Sequence, residues 1–545
     1  MNDIDLDGSE WDAVIVGTGM GGATFGYALA RAGWRVLFCE RGRSSLAGRD
    51  ALRDVYPEMR FGEGGRDERD VLSAAGRYVV PIDDLSSGRS KRFLPFMGMG
   101  TGGSSALYGM VLERFFPADF EPRRHYPDAE GSTLPERWPI TYADLLPYYE
   151  AAERLYRVRG TRDPLRPDAS MQHAEPPPMS AAARELGESL ASQGLHPYQL
   201  PLACEYVAGC RGCQGYLCGS GCKNDSARVC LAPALAAHGA RLVDECEVVR
   251  IDADRERVTG VICRRRGKEF RVSGRIVALA AGALATPSLL LQSRSTAWPD
   301  GVANDSGLVG HNLMRHYIDL YAVFPKARPD ADGNAKEFGC NDLYLADGVK
   351  LGAIQSFGKL PPGAMIANDL QRDLRQQVHP AAAAAFGLVK PIMRPIFDLL
   401  FSRATILATI IEDLPQPENR VLPPAGAAGE GISISYRVNA REGSRIERMR
   451  EHMKRLLRPY RHLLIKQAEN NERIAHACGT CRFGDDPASS VLDANNRAHG
   501  LANLYVVDAS FFPSSGGTNP ALTIAANALR VADHLLGEAG AKAVA

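Results

Sequence analysis

An α/β fold is predicted by three features of the sequence. The N-terminal residues read strand, glycine turn, helix, strand; a second buried strand enters a glycine turn near Gly282; the C-terminal residues read strand, tight turn, long helix. Alternation of this kind places helices over a mostly parallel sheet.

In the first unit, residues 12–16 form a short apolar strand, residues 17–22 turn it, and residues 23–32 have helical composition. Residues 35–39 form the next strand, which ends at Glu40. The turn carries Gly17-x-Gly19-x-x-Gly22, with Glu40 18 positions beyond Gly22. The first glycine permits the sharp turn, the second lets backbone approach a pyrophosphate, and the third lets the helix pack on the strand. The helix N-terminus offers N–H groups to phosphates, and Glu40 can accept hydrogen bonds from an adenosine ribose. The pattern points to a dinucleotide and leaves NAD and FAD both open.

A second cluster ends in Gly102, Gly103, Ser104 and Ser105; its small residues let backbone approach a flat or anionic ligand, and its hydroxyls add donors. Thr141 is the expected N-cap of an amphipathic helix reaching about residue 156. Residues 164–178 read as a proline-rich surface connection. A helix is expected over 231–237 and a strand pair over 241–251 and 258–263. A buried strand over 275–280 enters Ala281-Gly282-Ala283 and precedes a proline-initiated helix over 287–292. Residues 313–436 are mixed. Within them, 380–401 is an apolar stretch broken by Pro391 and Pro395 and marked by Lys390 and Arg394. It fails as a membrane span and reads as a substrate cap or an interface helix.

At the C-terminal end, residues 504–507 form a strand, Asp508, Ala509 and Ser510 close it, and 513–517 turn. Asn519 is then the natural N-cap, and Pro520 a first-turn residue, of an apolar helix reaching about residue 536. Its positive end points at whatever lies over the turn. Upstream, His476 precedes a tight turn at Gly479.

The 545 residues carry 64 Lys+Arg against 64 Asp+Glu, a balance without a nucleic-acid footprint. Length alone predicts three or four domains. The acidic N-terminus lacks the features of a secretory signal, so a cytoplasmic location is expected, where the 12 cysteines are thiols or metal ligands rather than bridges. Cys210-x2-Cys213-x4-Cys218-x3-Cys222, flanked by Cys204 and Cys230, places four thiols in thirteen residues. Such a set can ligate an iron–sulfur cluster or zinc, form a disulfide, or remain free in a loop.

Taken together, these motifs resemble those of the glucose–methanol–choline (GMC) flavoprotein oxidoreductases. The resemblance spans nearly the whole chain. Besides the segments above, it includes Gly282-Ala283-x-x-Thr286-Pro287 and Val309-Gly310-x-Asn312-Leu313-x-x-His316. It implies a Rossmann-like FAD-binding domain gathered from residues 1–120, 221–316 and 470–545. It also implies an α+β substrate domain on an antiparallel sheet, from residues 121–220 and 317–469, with the cysteine-rich segment 204–230 counted in it. Two interleaved domains then replace the three or four expected from length.

By the same resemblance His476 is the active-site base and Asn519 its partner; Asp508 and Ala509 lie near the FAD phosphates and ribityl chain, and Val248 near the adenine. The helix opened by Asn519 and Pro520 would stabilise charge on the flavin. Tyr108 stands where many members have Asn, and Arg294 where a glycine commonly closes the second signature. No histidine occurs between Met97 and Met110, so FAD is expected to be non-covalent. The x4 and x3 cysteine gaps are similar to those of the catalytic subunit of bacterial FAD-dependent glucose dehydrogenase, a GMC member that carries a [3Fe–4S] cluster. The first pair, however, is adjacent there and separated here.

The resemblance implies oxidation of a sugar-like or other primary or secondary alcohol, with hydride transfer to flavin N5. Electrons would pass to O2, to a quinone or dye, or to a partner redox protein. Two alternatives share the fold: a lyase in which FAD is not turned over, and the catalytic subunit of a membrane-linked electron-transfer complex. Neither a transmembrane segment nor a nucleic-acid partner is expected.

Overall fold

The structure, a computed structural model, describes residues 6–46, 50–87, 90–127, 129–166, 173–329, 336–346, 349–358, 360–375, 379–423 and 431–544. Its largest sheet has seven strands. Glu10–Val16 lies at the centre, parallel to Val36–Cys39 on one side and to the end of Lys268–Leu279 on the other. Where they pair, residues 13–16, 36–39 and 277–279 are apolar and buried, as strands covered on both faces require. Leu504–Val506 adds in parallel beside residues 277–279, so the C-terminal turn is set next to the N-terminal glycine turn. The helices Met20–Arg31 and Ala521–Val544 pack against one another on this sheet.

The expected strand over 241–251 is two strands. Arg241–Val243 extends the parallel sheet beside Val36–Cys39, whereas Glu247–Ala253 pairs antiparallel with Val258–Arg265. Glu245, at a φ of 50°, sits in the left-handed region and turns the chain between them.

The second sheet has six strands, all antiparallel: Tyr198–Gln199, Tyr317–Phe324, Phe338–Cys340, Gly352–Gly358, Thr405–Ile411 and Arg461–Ile465. A third, four-stranded sheet is formed by Ile82–Asp84, Lys91–Phe93, Arg420–Leu422 and Ile432–Ser435. Thr141 caps the helix Tyr142–Leu155 as expected, through a reciprocal pair of bonds with Asp144.

Pro380–Phe401, expected to be broken, is one helix with Pro391 and Pro395 inside it. Both prolines lie on its exposed side, where the backbone carbonyls they leave unpaired can reach water. Leu388, Ile392 and Leu399 are exposed on it. Among the described residues, no helix is long and apolar enough to cross a membrane.

Candidate active site

A cavity of about 660 Å³ runs from the N-terminal glycine turn to the antiparallel sheet. Gly17, Gly19, Glu40, Gly103, Ser104, Ser105, Val248, Asp508, Ala509, His476, Asn519 and Pro520 all line it. Gly22 and Gly102 stand behind the wall. A Cβ on Gly22 would lie 2.3 Å from the Gly17 carbonyl oxygen, and Gly102 turns the chain at a φ of 87°. Gly21 proves equally constrained, since a Cβ there would lie 1.8 Å from the Val507 carbonyl oxygen.

The glycine turn fits a dinucleotide. Gly19 supplies no side-chain cap to the Met20–Arg31 helix, and a Cβ on it would meet nothing within 4 Å, so the first turn opens onto the cavity. Gly282, opposite, is equally open. Glu40 is buried. One carboxylate oxygen accepts from the Thr18 amide (3.0 Å) and hydroxyl (2.6 Å), the other from the Gly42 (2.9 Å) and Gly100 (3.1 Å) amides. It thereby ties the glycine turn to the second cluster. Burial raises its pKa, against the lowering effect of these bonds. The Ser105 hydroxyl turns inward to Gly102 and Ser226, and the Ser104 hydroxyl accepts from the Gly98 amide. Asp508 accepts from the Gly282 amide (2.9 Å) and the Thr286 hydroxyl, holding the second turn open. Tyr108 lines the cavity and donates to the Asn224 carbonyl at 2.7 Å.

At the other end, backbone bonds between Met314 and Cys478 (3.0 and 2.9 Å) and from His316 N to Ala475 O (3.1 Å) lay two segments side by side. His316 and His476 consequently meet, Nδ1 to Nδ1, at 2.8 Å. The tautomers follow from the remaining bonds. His316 Nε2 lies 3.1 and 2.9 Å from the Ser515 and Gly516 carbonyl oxygens, so that nitrogen carries a proton. Burial lowers the His316 pKa to about 4, which keeps the ring neutral and its Nδ1 an acceptor. His476 Nδ1 therefore donates, and its Nε2 keeps the lone pair. Burial, then His316 and Lys336, hold the His476 pKa well below 6.5. His476 takes a φ of 57°, a strained backbone of the kind found at active sites.

Asn519 accepts through its amide oxygen from Gln355 Nε2 at 2.7 Å, which leaves its amide N–H groups for the cavity. Gln355 also donates to Glu113 at 3.0 Å. The Gly516 amide donates to Glu412, whose other oxygen pairs with Lys350 at 2.6 Å; Lys350 also contacts Asp119. His316, Gln355 and Glu113 carry no assigned role in the sequence. Only His316 stood in a motif that could have revealed it.

The cysteine segment folds around Cys222, whose sulfur lies 3.2 Å from Cys210 and 3.4 Å from Cys218. Cys204, outside the expected set, is 3.7 Å from Cys210, and the sulfurs of Cys204, Cys210 and Cys222 all lie within 4.8 Å of one another. Cys213 contacts Asp54 at 3.8 Å and also reaches Cys218 and Cys222 through its thiol, so all four expected cysteines join the cluster with Cys204.

Residues 11–318 and 436–528 match the two family models described as GMC oxidoreductase. The chain belongs to the GMC oxidoreductase family. Among relatives of this GMC oxidoreductase, paromamine 6'-oxidase of Streptomyces fradiae is 32% identical, over 98% of this chain and 92% of that one. The 2-methyl-1,2-propanediol dehydrogenase of Mycolicibacterium austroafricanum is 26% identical, over 96% and 95%. Pyridoxine 4-oxidase from Mesorbium loti shares the fold, with a TM-score of 0.63 at 22% identity over 96% of this chain and 98% of that one. Membership makes FAD the cofactor, and the open glycine turns described above suit it.

Proposed function

We propose that this GMC oxidoreductase oxidises an alcohol, with His476 as the base and Asn519 holding the substrate oxygen. The observation that carries this reading is the His316–His476 pair, which fixes an unprotonated Nε2 on a residue lining the cavity. Bound FAD supplies the hydride acceptor. His476 Nε2 takes the hydroxyl proton, a contribution of about 100- to 10,000-fold when well placed. Asn519 donates its N–H to the oxygen as charge develops on it. Gly17, Gly19, Glu40, Gly103 and Val248 would hold the nucleotide half of a non-covalent FAD. Asp508, Ala509 and the helix after Pro520 would hold the remainder, with residues 317–469 supplying most of the substrate wall.

Anaerobic addition of alcohols should bleach the flavin of the FAD-loaded protein. A cleavage product formed with no bleaching by any alcohol would favour the lyase reading instead.

The convergence of Cys210, Cys213, Cys218 and Cys222, joined by Cys204, supports a second element of this reading, an iron–sulfur relay toward a partner acceptor. Iron and acid-labile sulfide should be found after anaerobic purification, and their absence ends the relay reading while leaving alcohol oxidation intact.

A further inference from the structure

At its far end the cavity is walled by Ile318, Phe357, Ala408 and Ile410 from the antiparallel sheet. Lys336 enters this apolar wall. It is 6% exposed, and its amine lies 5.1 Å above the Phe357 ring. Its stem lies against bare Gly109, where a Cβ would come within 2.5 Å of Lys336 Cε. Among the described residues the amine has no hydrogen-bond or ion-pair partner. The nearest anion, Glu113, is already committed: Tyr198 and Asn341 bind one oxygen, Gln355 and Thr518 the other.

The other charged groups lining the cavity are engaged. Glu40 and Asp508 tie glycine turns, Arg41 pairs with Glu247, and Arg264 pairs with Glu269. A buried amine without a counter-charge is costly, and here burial pulls its pKa down to about 8. A substrate anion would remove that cost, and an ammonium group would add to it.

We propose that Lys336 forms an anion subsite that selects alcohols bearing a carboxylate on an apolar body. The proposal rests on the reading of this cavity as the site of alcohol oxidation, and binding can test it separately from turnover.

Calorimetric titration of the FAD-loaded protein with 4-methylbenzoate and 4-methylbenzamide should show the carboxylate bound about tenfold or more tightly. In Lys336→Gln and Lys336→Met that ratio should fall to within about threefold of unity. The ratio of kcat/KM for 4-(hydroxymethyl)benzoate over its amide should collapse in parallel, with 4-(aminomethyl)benzyl alcohol the poorest wild-type substrate. Equal binding of the two ligands by wild type, or a ratio preserved in either variant, overturns the proposal.

If the variants do not fold, wild type alone decides. Its carboxylate preference should decline as pH rises from about 7 to about 9.5 and the amine loses its proton. Of the ionisable groups facing Lys336, Glu113 is fully hydrogen-bonded and His476 is already neutral there, so a flat ratio overturns the proposal. Bleaching by alcohols without any carboxylate preference defeats the Lys336 subsite alone. A carboxylate preference with no bleaching by any alcohol defeats the alcohol-oxidation reading alone.

Discussion

His316 and His476 share one proton between Nδ1 atoms 2.8 Å apart, and the carbonyls of Ser515 and Gly516 decide which ring owns it. Replacing His476 with Ala should slow flavin reduction by about 100- to 10,000-fold. His316→Phe keeps the ring volume but removes the acceptor, so His476 is no longer held in one tautomer. Stopped-flow reduction should fall roughly a hundredfold with FAD content unchanged. An unaltered rate in His316→Phe would show that the pair does not set the base.

The pH profile follows from the same pair. His476 sits well below 6.5 and His316 at about 4, so both rings are neutral at neutral pH. The kcat/KM profile should therefore have its acid limb below pH 6.5, and a limb at or above that value contradicts the assignment. For stability the folded pKa of His316 is depressed. Above 6.5 it contributes no pH dependence; as pH falls from 6.5 toward 4, the unfolded chain takes a proton that the folded site refuses. Wild type should lose about 3 kcal/mol relative to His316→Phe across that window, measured by denaturant titration at each pH.

Gln355 orients Asn519 at 2.7 Å. Gln355→Leu frees the amide to rotate, and kcat should fall roughly tenfold with a smaller change in KM, since the lost interaction acts as charge develops on the substrate oxygen. Steady-state kinetics with one alcohol separates the two parameters, and a change confined to KM contradicts the role.

Lys350 is buried between Asp119 and Glu412. Lys350→Met leaves two carboxylates without their cation and should cost about 3–5 kcal/mol in chemical denaturation. Glu412 also receives the Gly516 amide, so the turn that orients His316 loosens, and the surviving folded fraction should reduce flavin more slowly.

Two glycines of one turn should respond differently. A Cβ at Gly21 would lie 1.8 Å from the Val507 carbonyl oxygen, whereas one at Gly19 meets open cavity. Gly21→Ala should fail to give a stable fold. Gly19→Ala should fold by circular dichroism and bind FAD at least about tenfold more weakly by fluorescence titration.

Much of the nucleotide half was legible because its demands are local. A sharp turn and an open backbone approach each require a residue type at a fixed offset, and Gly17 and Gly19 meet those demands in the structure; in the other half the N-cap at Thr141 was legible for the same reason. The continuity of the helix through Pro391 and Pro395 was not legible, because a proline's effect depends on the surroundings of its side of the helix. Nor was the break at Glu245, a backbone conformation that side-chain pattern does not encode.

The sequence by itself determined the α/β class and the glycine turns, which depend on neighbours a few residues apart, and its resemblance to the GMC family pointed to His476 and Asn519. Tertiary structure alone decided that His316 orients His476, that Gln355 orients Asn519, that Cys204 joins Cys210 and Cys222, and that Lys336 lies unpaired in an apolar wall. These relationships depend on distance and burial between segments as many as 164 residues apart, which only the folded chain brings together.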